Sequence, residues 1–140
     1  MTHPISTLIR GALVVAALVF ASSVAAKDKV VIQVSDADPL KWNLALGNAR
    51  NMQTALGADQ VDIEIVAYGP GVSLLKAADS PVATRITEAK NAGVRVLVCE
   101  NTMAGMKLTH ADMLGDVGYV PSGVVEILKK QQEGYAYLRP

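Results

Sequence analysis

The chain has 140 residues, 51% of them hydrophobic, and its 13 basic and 13 acidic side chains cancel to a formal charge of zero. With no basic stripe and only 4% aromatic residues, nucleic-acid recognition has neither electrostatic nor stacking support. A basic amphipathic helix for lying on a membrane surface is missing as well.

The first 26 residues read as a secretory signal rather than as part of the fold. Arg10 supplies a positive n-region, Gly11 to Ala21 is an unbroken small and apolar run, and Ser22-Ser23-Val24-Ala25-Ala26 offers the small residues that signal peptidase accepts. Spanning a bilayer takes about 20 apolar residues. The run is too short for that, which favours cleavage after Ala26 over a permanent anchor. Residues 27–140 then form one domain with one core. They are expected outside the cytoplasm, in the periplasm, and free of the membrane once the signal is cut.

Lys29 to Val34 reads as a first, largely buried strand. Ser35 to Asp38 supplies capping residues ahead of Pro39, which suits the first turn of a helix. From Leu40 to Leu56 the residues Trp42, Ala45, Leu46, Ala49, Met52 and Leu56 recur on one helical face, and Gly57 ends it. Val61 to Ala67 alternates, with Asp62 and Glu64 opposite Val61, Ile63 and Ile65, which places this strand towards a wet sheet edge. Val72 to Ala78 gives one or two helical turns after Gly69-Pro70-Gly71. Ser80-Pro81 opens a helix lined by Val82, Ile86 and Ala89 and closed at Gly93.

Val94 to Val98 is apolar enough for a central strand buried on both faces. The segment Asn101 to Leu108 follows, and then Thr109 caps a short helix, His110 to Leu114. Val117 to Val120 is a further strand. Pro121-Ser122-Gly123 opens a last helix with Val124, Ile127 and Leu128 inward and Glu126, Lys129, Lys130 and Glu133 in water. Tyr135 to Leu138 forms a final edge strand. Strands alternating with helices predict a single three-layer α/β domain, with a mostly parallel five-stranded sheet and helices on both faces.

The residue of most chemical interest is Cys99, the one cysteine of the chain. It stands where a buried strand stops and polar helix-start residues begin, the edge at which open α/β sheets keep their reactive groups. A thiol there has its pKa lowered by helix N–H groups, and Asn101 and Thr102 can donate to a sulfur anion. Glu100 opposes this if its carboxylate points inward. The bland alternative is a buried cysteine acting as a small hydrophobe.

His110 is either a proton shuttle for Cys99 or a solvated residue beside a cap. Asp36, Asp38, Gly69 and Gly71 lie on the same sheet edge as Cys99 and form a possible ligand edge, although capping and a tight turn explain them too. His110 is the only histidine of residues 27–140, so no metal site is expected. Without Gly-x-Gly-x-x-Gly or a Walker lysine no nucleotide or other cofactor is expected either. Tyr135, Tyr137 and Leu138 either pack on the last helix or meet another subunit.

Several segments together resemble the DsrE/DsrF-like family. They are Val30-Val31-Ile32-Gln33-Val34, Tyr68-Gly69-Pro70-Gly71-Val72, Val98-Cys99-Glu100-Asn101-Thr102, Val120-Pro121-Ser122-Gly123-Val124 and Gln131-Gln132-Glu133-Gly134-Tyr135-Ala136-Tyr137. The resemblance spans residues 27–140 and implies a member of a group of small α/β proteins that form trimers or hexamers; export is read from the signal segment. It also implies a sulfur carrier or sulfurtransferase-like protein. Cys99 would take up sulfane sulfur as a persulfide, or form a mixed disulfide, and pass it to a thiol partner protein. The rival readings are a small-ligand-binding module with the thiol a bystander, and a structural oligomeric subunit.

Overall fold

The computed structural model describes residues 25–140. The signal expected over residues 1–26 falls, but for its last two residues, outside the described residues. Apolar runs bounded by turn residues become five strands: β1 (Asp28–Val34), β2 (Val61–Ala67), β3 (Arg95–Cys99), β4 (Gly118–Val120) and β5 (Ala136–Leu138). They form one sheet in the order β4-β3-β2-β1-β5, and every pair is parallel. Parallel neighbours need crossover connections. These are α1 (Pro39–Leu56), α2 (Ala83–Asn91), α3 (Glu100–Gly105) and α4 (Gly123–Gln132), with 3-10 turns at Gly69–Leu75 and His110–Asp112.

One sheet face carries the main core. Ile32, Val34, Ile63, Ile65, Val96 and Val98 pack there against Trp42, Ala45, Leu46 and Ala49 of α1 and Ile86 of α2. Trp42 is fully buried, and its indole N–H donates to the Gly71 carbonyl at 3.1 Å, which fixes the 3-10 turn after β2 on top of α1. The other face has a smaller core of Val31, Val66, Ile127 and Tyr135, with Tyr68 packed beside it, and α4 is its cover.

Four expectations need correction. β2 is not an edge strand; it lies between β1 and β3. Its alternation arises because Asp62 and Glu64 point to the α4 face and meet Arg95 there, at 3.0 and 3.1 Å, Glu64 out of water and Asp62 half-buried. β3 is accordingly not central but sits beside the edge strand β4.

The last helix is rotated from the expected stripe. Val124 and Leu128 are 55% and 54% exposed, whereas Gly123 and Ile127 are buried and Glu126 and Lys130 turn inward. The stripe 123-126-127-130 follows helical spacing as well as the apolar one does. It wins because Ile127 fills the smaller core beside Val31, Val66 and Tyr135, and because glycine at the start leaves free the room that a side chain would take. A Cβ on Gly123 would lie 3.0 Å from the Tyr68 Cβ and 3.3 Å from the Cys99 Cβ. Finally, the helix expected over His110 to Leu114 is the shorter 3-10 turn His110–Asp112, closed by a capping box between Thr109 and Asp112.

Candidate functional site around Cys99

Cys99 ends β3 and serves as the N-cap of α3, with extended backbone (φ −73, ψ 113). In the β3–β4 register Val98 pairs with Tyr119 and Cys99 with Val120. Since side chains alternate across a sheet, the thiol points to the α4 face and Val98 to the main core. The residue is 5% exposed, lying under Gly123 and next to Tyr68.

Two opposed effects act on this thiol. Burial pushes its pKa up. The Thr102 hydroxyl and the backbone N–H groups of Gly123, Thr102 and Asn101 push it down, and the net result lies below the ordinary thiol value. The first turns of two helices, α3 and α4, therefore meet at one sulfur, and helix N-termini favour an anion there. The Thr102 Oγ1 accepts the Gly69 N–H at 2.9 Å, which leaves its own hydrogen to donate towards the sulfur.

The residues singled out in the sequence fall into two groups. Thr102 and, through it, Gly69 are gathered at Cys99, whereas the Asn101 side chain is exposed and its backbone N–H donates to the Pro121 carbonyl at 3.2 Å. Gly69 has a φ of +56, a conformation that glycine adopts without strain. Glu100, by contrast, is half-exposed and pairs with His110 Nε2 at 2.8 Å. The His110 ring stacks on Tyr119 with centroids 3.6 Å apart. Tyr119 shares its face with Val98, so this pair belongs to the far side of the sheet edge and does not bring an imidazole to the sulfur.

The acidic part of the proposed ligand edge is engaged elsewhere. Asp36 pairs with Lys41 at 3.1 Å and with Arg139 at 3.7 Å, and the hydrogen bond from Lys41, with help from Arg139, lowers its pKa. Asp38 caps α1 by accepting the Leu40 N–H at 2.8 Å. Gly71 is glycine for want of room, because a Cβ would stand 2.6 Å from the Val34 carbonyl oxygen. Among the described residues no group of three or more His, Cys, Asp or Glu side chains is placed to hold a metal ion. No helix of the described residues is long and apolar enough to cross a membrane.

Sequence reasoning missed two features. The first is Gly123, which lies over Cys99 and whose backbone N–H helps to lower the thiol pKa. Pro121-Ser122-Gly123 marked a helix start, but nothing local placed it over Cys99. The second is Glu64, 2% exposed in the middle strand. Its Oε2 meets Arg95 at 3.1 Å and Lys130 at 4.0 Å, while no described group donates to Oε1. Burial outweighs the attraction of Arg95 and Lys130 and raises its pKa to about 7. An Asp-x-Glu inside an apolar strand was the available signal.

Comparison with known proteins now adds to this geometry. The family model described as the DsrE/DsrF-like family matches residues 16–140. Among solved structures the chain is similar to MTH1491 of Methanobacterium thermoautotrophicum, a protein of unknown function, at 36% identity and a TM-score of 0.76, covering 81% of this chain and 100% of that one. It is similar in fold to BT1422 of Bacteroides thetaiotaomicron, also of unknown function, at 18% identity and TM-score 0.65, over 81% and 95% of the two chains. YchN of E. coli shares the fold at 12% identity and TM-score 0.66, over 81% and 99%. No curated protein matches. The parallel five-stranded sheet, the family model and the 36% identical relative agree, and the chain belongs to the DsrE/DsrF-like family.

Proposed function

We propose that the protein is an exported sulfur carrier, sulfurtransferase-like in its chemistry, and that Cys99 is the acceptor. The observation that carries this reading is the place of the thiol on the C-terminal rim of a parallel sheet, where β3 ends and the first turns of α3 and α4 meet, with the Thr102 hydroxyl and nearby backbone N–H groups lowering its pKa. Such a cradle stabilises a thiolate, the nucleophilic form. The Cys99 thiolate attacks a sulfane sulfur of a polysulfide or low-molecular-weight persulfide. One S–S bond forms, and the donor's S–S bond breaks with its electron pair leaving on the donor thiolate. The bound persulfide is then attacked at its outer sulfur by an acceptor thiolate, and Cys99 leaves as thiolate.

No resolving cysteine exists in the chain, so the acceptor has to be a partner thiol. Export, with the periplasm as compartment, rests on the signal-like segment ending at Ala26. Assembly as a homo-oligomer is supported by the half-exposed Val124, Val125, Leu128 and Tyr137.

Incubating the folded mature protein with polysulfide and weighing it intact should show added sulfur atoms on wild type and none on Cys99→Ser. A folded wild type that gains no mass would remove the proposal. The 5% exposure of Cys99 favours a second reading, a structural or small-ligand-binding module with an inert thiol. That reading requires the same thiol to stay unmodified throughout.

A further inference from the structure

The two faces of the sheet are held by different means. Over the main core α1 buries a stripe of four apolar side chains, Trp42, Ala45, Leu46 and Ala49, and α2 adds Ile86, whereas the α4 face is covered by one helix that buries one, Ile127, beside the side-chain-free Gly123. The rest of its inner stripe is Glu126 and Lys130, set over the buried carboxylate of Glu64, while Val124, Val125 and Leu128 face outward. The same helix, through Gly123, covers the sulfur of Cys99. We propose that α4 is a movable cover over Cys99 whose seating is set by the charge on Glu64, ionised Glu64 favouring the lifted helix and protonated Glu64 the seated one.

The sign follows from what each packed element presents to this carboxylate. Asp62 of β2 and Arg95 of β3 stay on the sheet whether α4 is seated or lifted, and Arg95 remains within 3.1 Å of Glu64 and 3.0 Å of Asp62. Lys29 of β1 lies over the Tyr135 ring, and the Tyr135 hydroxyl donates to Asp62. From α4 itself come one cation and one anion, Lys130 and Glu126. Lys130 is 4.0 Å from Glu64 but 3.0 Å from Glu133 and 3.7 Å from Glu126, so it is engaged without Glu64.

The charges that α4 brings to Glu64 therefore nearly cancel. What remains is its exclusion of water, and desolvation disfavours an ionised carboxyl. Lifting the helix hydrates Glu64 and uncovers the thiol in one motion. Control of access deepens the sulfur-carrier reading and rests on it for its consequence; the motion of α4 does not.

Hydrogen exchange of the full mature protein, read by mass spectrometry on peptides from residues 123–132 and corrected for chemical exchange, tests the cover. With Glu64 titrating near pH 7 under the seated helix and near its ordinary value when hydrated, the open fraction should rise about tenfold between pH 6 and pH 8. Glu64→Gln, isosteric and always neutral, should hold α4 equally protected at both pH values. Peptides of β1 should keep their protection in both proteins.

The inference is overturned if wild-type α4 is equally protected at both pH values, or if Glu64→Gln shows the same loss. Should the variant not fold, the wild-type comparison decides alone. Exchange does not depend on any reaction of Cys99, so failure here leaves the polysulfide mass test standing. Conversely, a thiol that takes up no sulfur leaves the motion of α4 measurable.

Discussion

At Cys99 a small number of hydrogen-bond donors decides between an inert and an ionisable thiol. Burial alone would leave a neutral, hydrophobic side chain, and the residue is 5% exposed. The donors reverse the outcome, with the Thr102 hydroxyl foremost among them. Thr102→Val keeps the shape but removes that donor and leaves the Gly69 N–H without its acceptor. The thiol pKa should rise, and alkylation at pH 7 should slow several-fold beyond any change in helix exposure. Titration of thiolate absorbance checks it, and a curve superimposable on wild type would show that the hydroxyl does not act on the sulfur. Loss of this part-buried hydrogen bond should also cost about 1 kcal/mol of stability. The position of Cys99 at the end of a buried strand was legible in the sequence. Its orientation was legible only by parity from β3, and Gly123 as a donor not at all, because 24 residues separate them and only the sheet crossover closes that gap.

At the scale of elements, α4 shows how a helix can satisfy two stripes. The apolar stripe Val124, Ile127 and Leu128 was the natural reading, yet the chain seats the stripe one residue round, on Gly123, Glu126, Ile127 and Lys130. The outward apolar residues are exposed, as is Tyr137 of β5 at 44%, while Tyr135 is withdrawn into the smaller core. Of the aromatics expected at a subunit contact, Tyr137 remains available and Tyr135 does not. If the protein assembles through this face, sedimentation of wild type gives a homo-oligomer, and Leu128→Glu shifts it towards monomer with little loss of folding stability. A wild-type monomer at micromolar concentration would remove the homo-oligomer from the reading.

For the molecule as a whole, one buried carboxyl sets the sign of the pH dependence near neutrality. Glu64 is neutral-favouring in the fold, its pKa raised from 4.5 to about 7 by burial against the pull of Arg95 and Lys130. A raised carboxyl pKa means that the folded state holds its proton more tightly than the unfolded chain. Stability from this group is therefore fully present below pH 4.5, falls as pH rises, and is lost above about pH 7. The shift corresponds to at most about 3 kcal/mol. Asp36, Asp112 and Asp116 act in the opposite sense at lower pH, since hydrogen bonds, from Lys41, Thr109 and Lys90 respectively, lower their pKa values. Asp112 is exposed and Asp36 and Asp116 are half-buried, and salt screens such surface charges. The urea midpoint should thus be higher at pH 5 than at pH 8, and Glu64→Gln should flatten the difference. Equal midpoints for wild type at both pH values would mean that Glu64 is ionised in the fold throughout.

The sequence by itself determined the alternation of strands and helices, their approximate ends, the parallel α/β class and the place of Cys99 at a strand terminus. Each of these is written in local periodicity and in capping or turn residues such as Asp38, Pro39, Gly57 and Gly93. Only the tertiary structure decided that β2 is central, that Glu64 is buried, that α4 turns its charged stripe inward and that Gly123 stands over the thiol. The physical reason is that alternation records which residues share a face, and not whether that face meets water or an arginine from the next strand. That depends on long-range neighbours, and a one-dimensional pattern does not specify them.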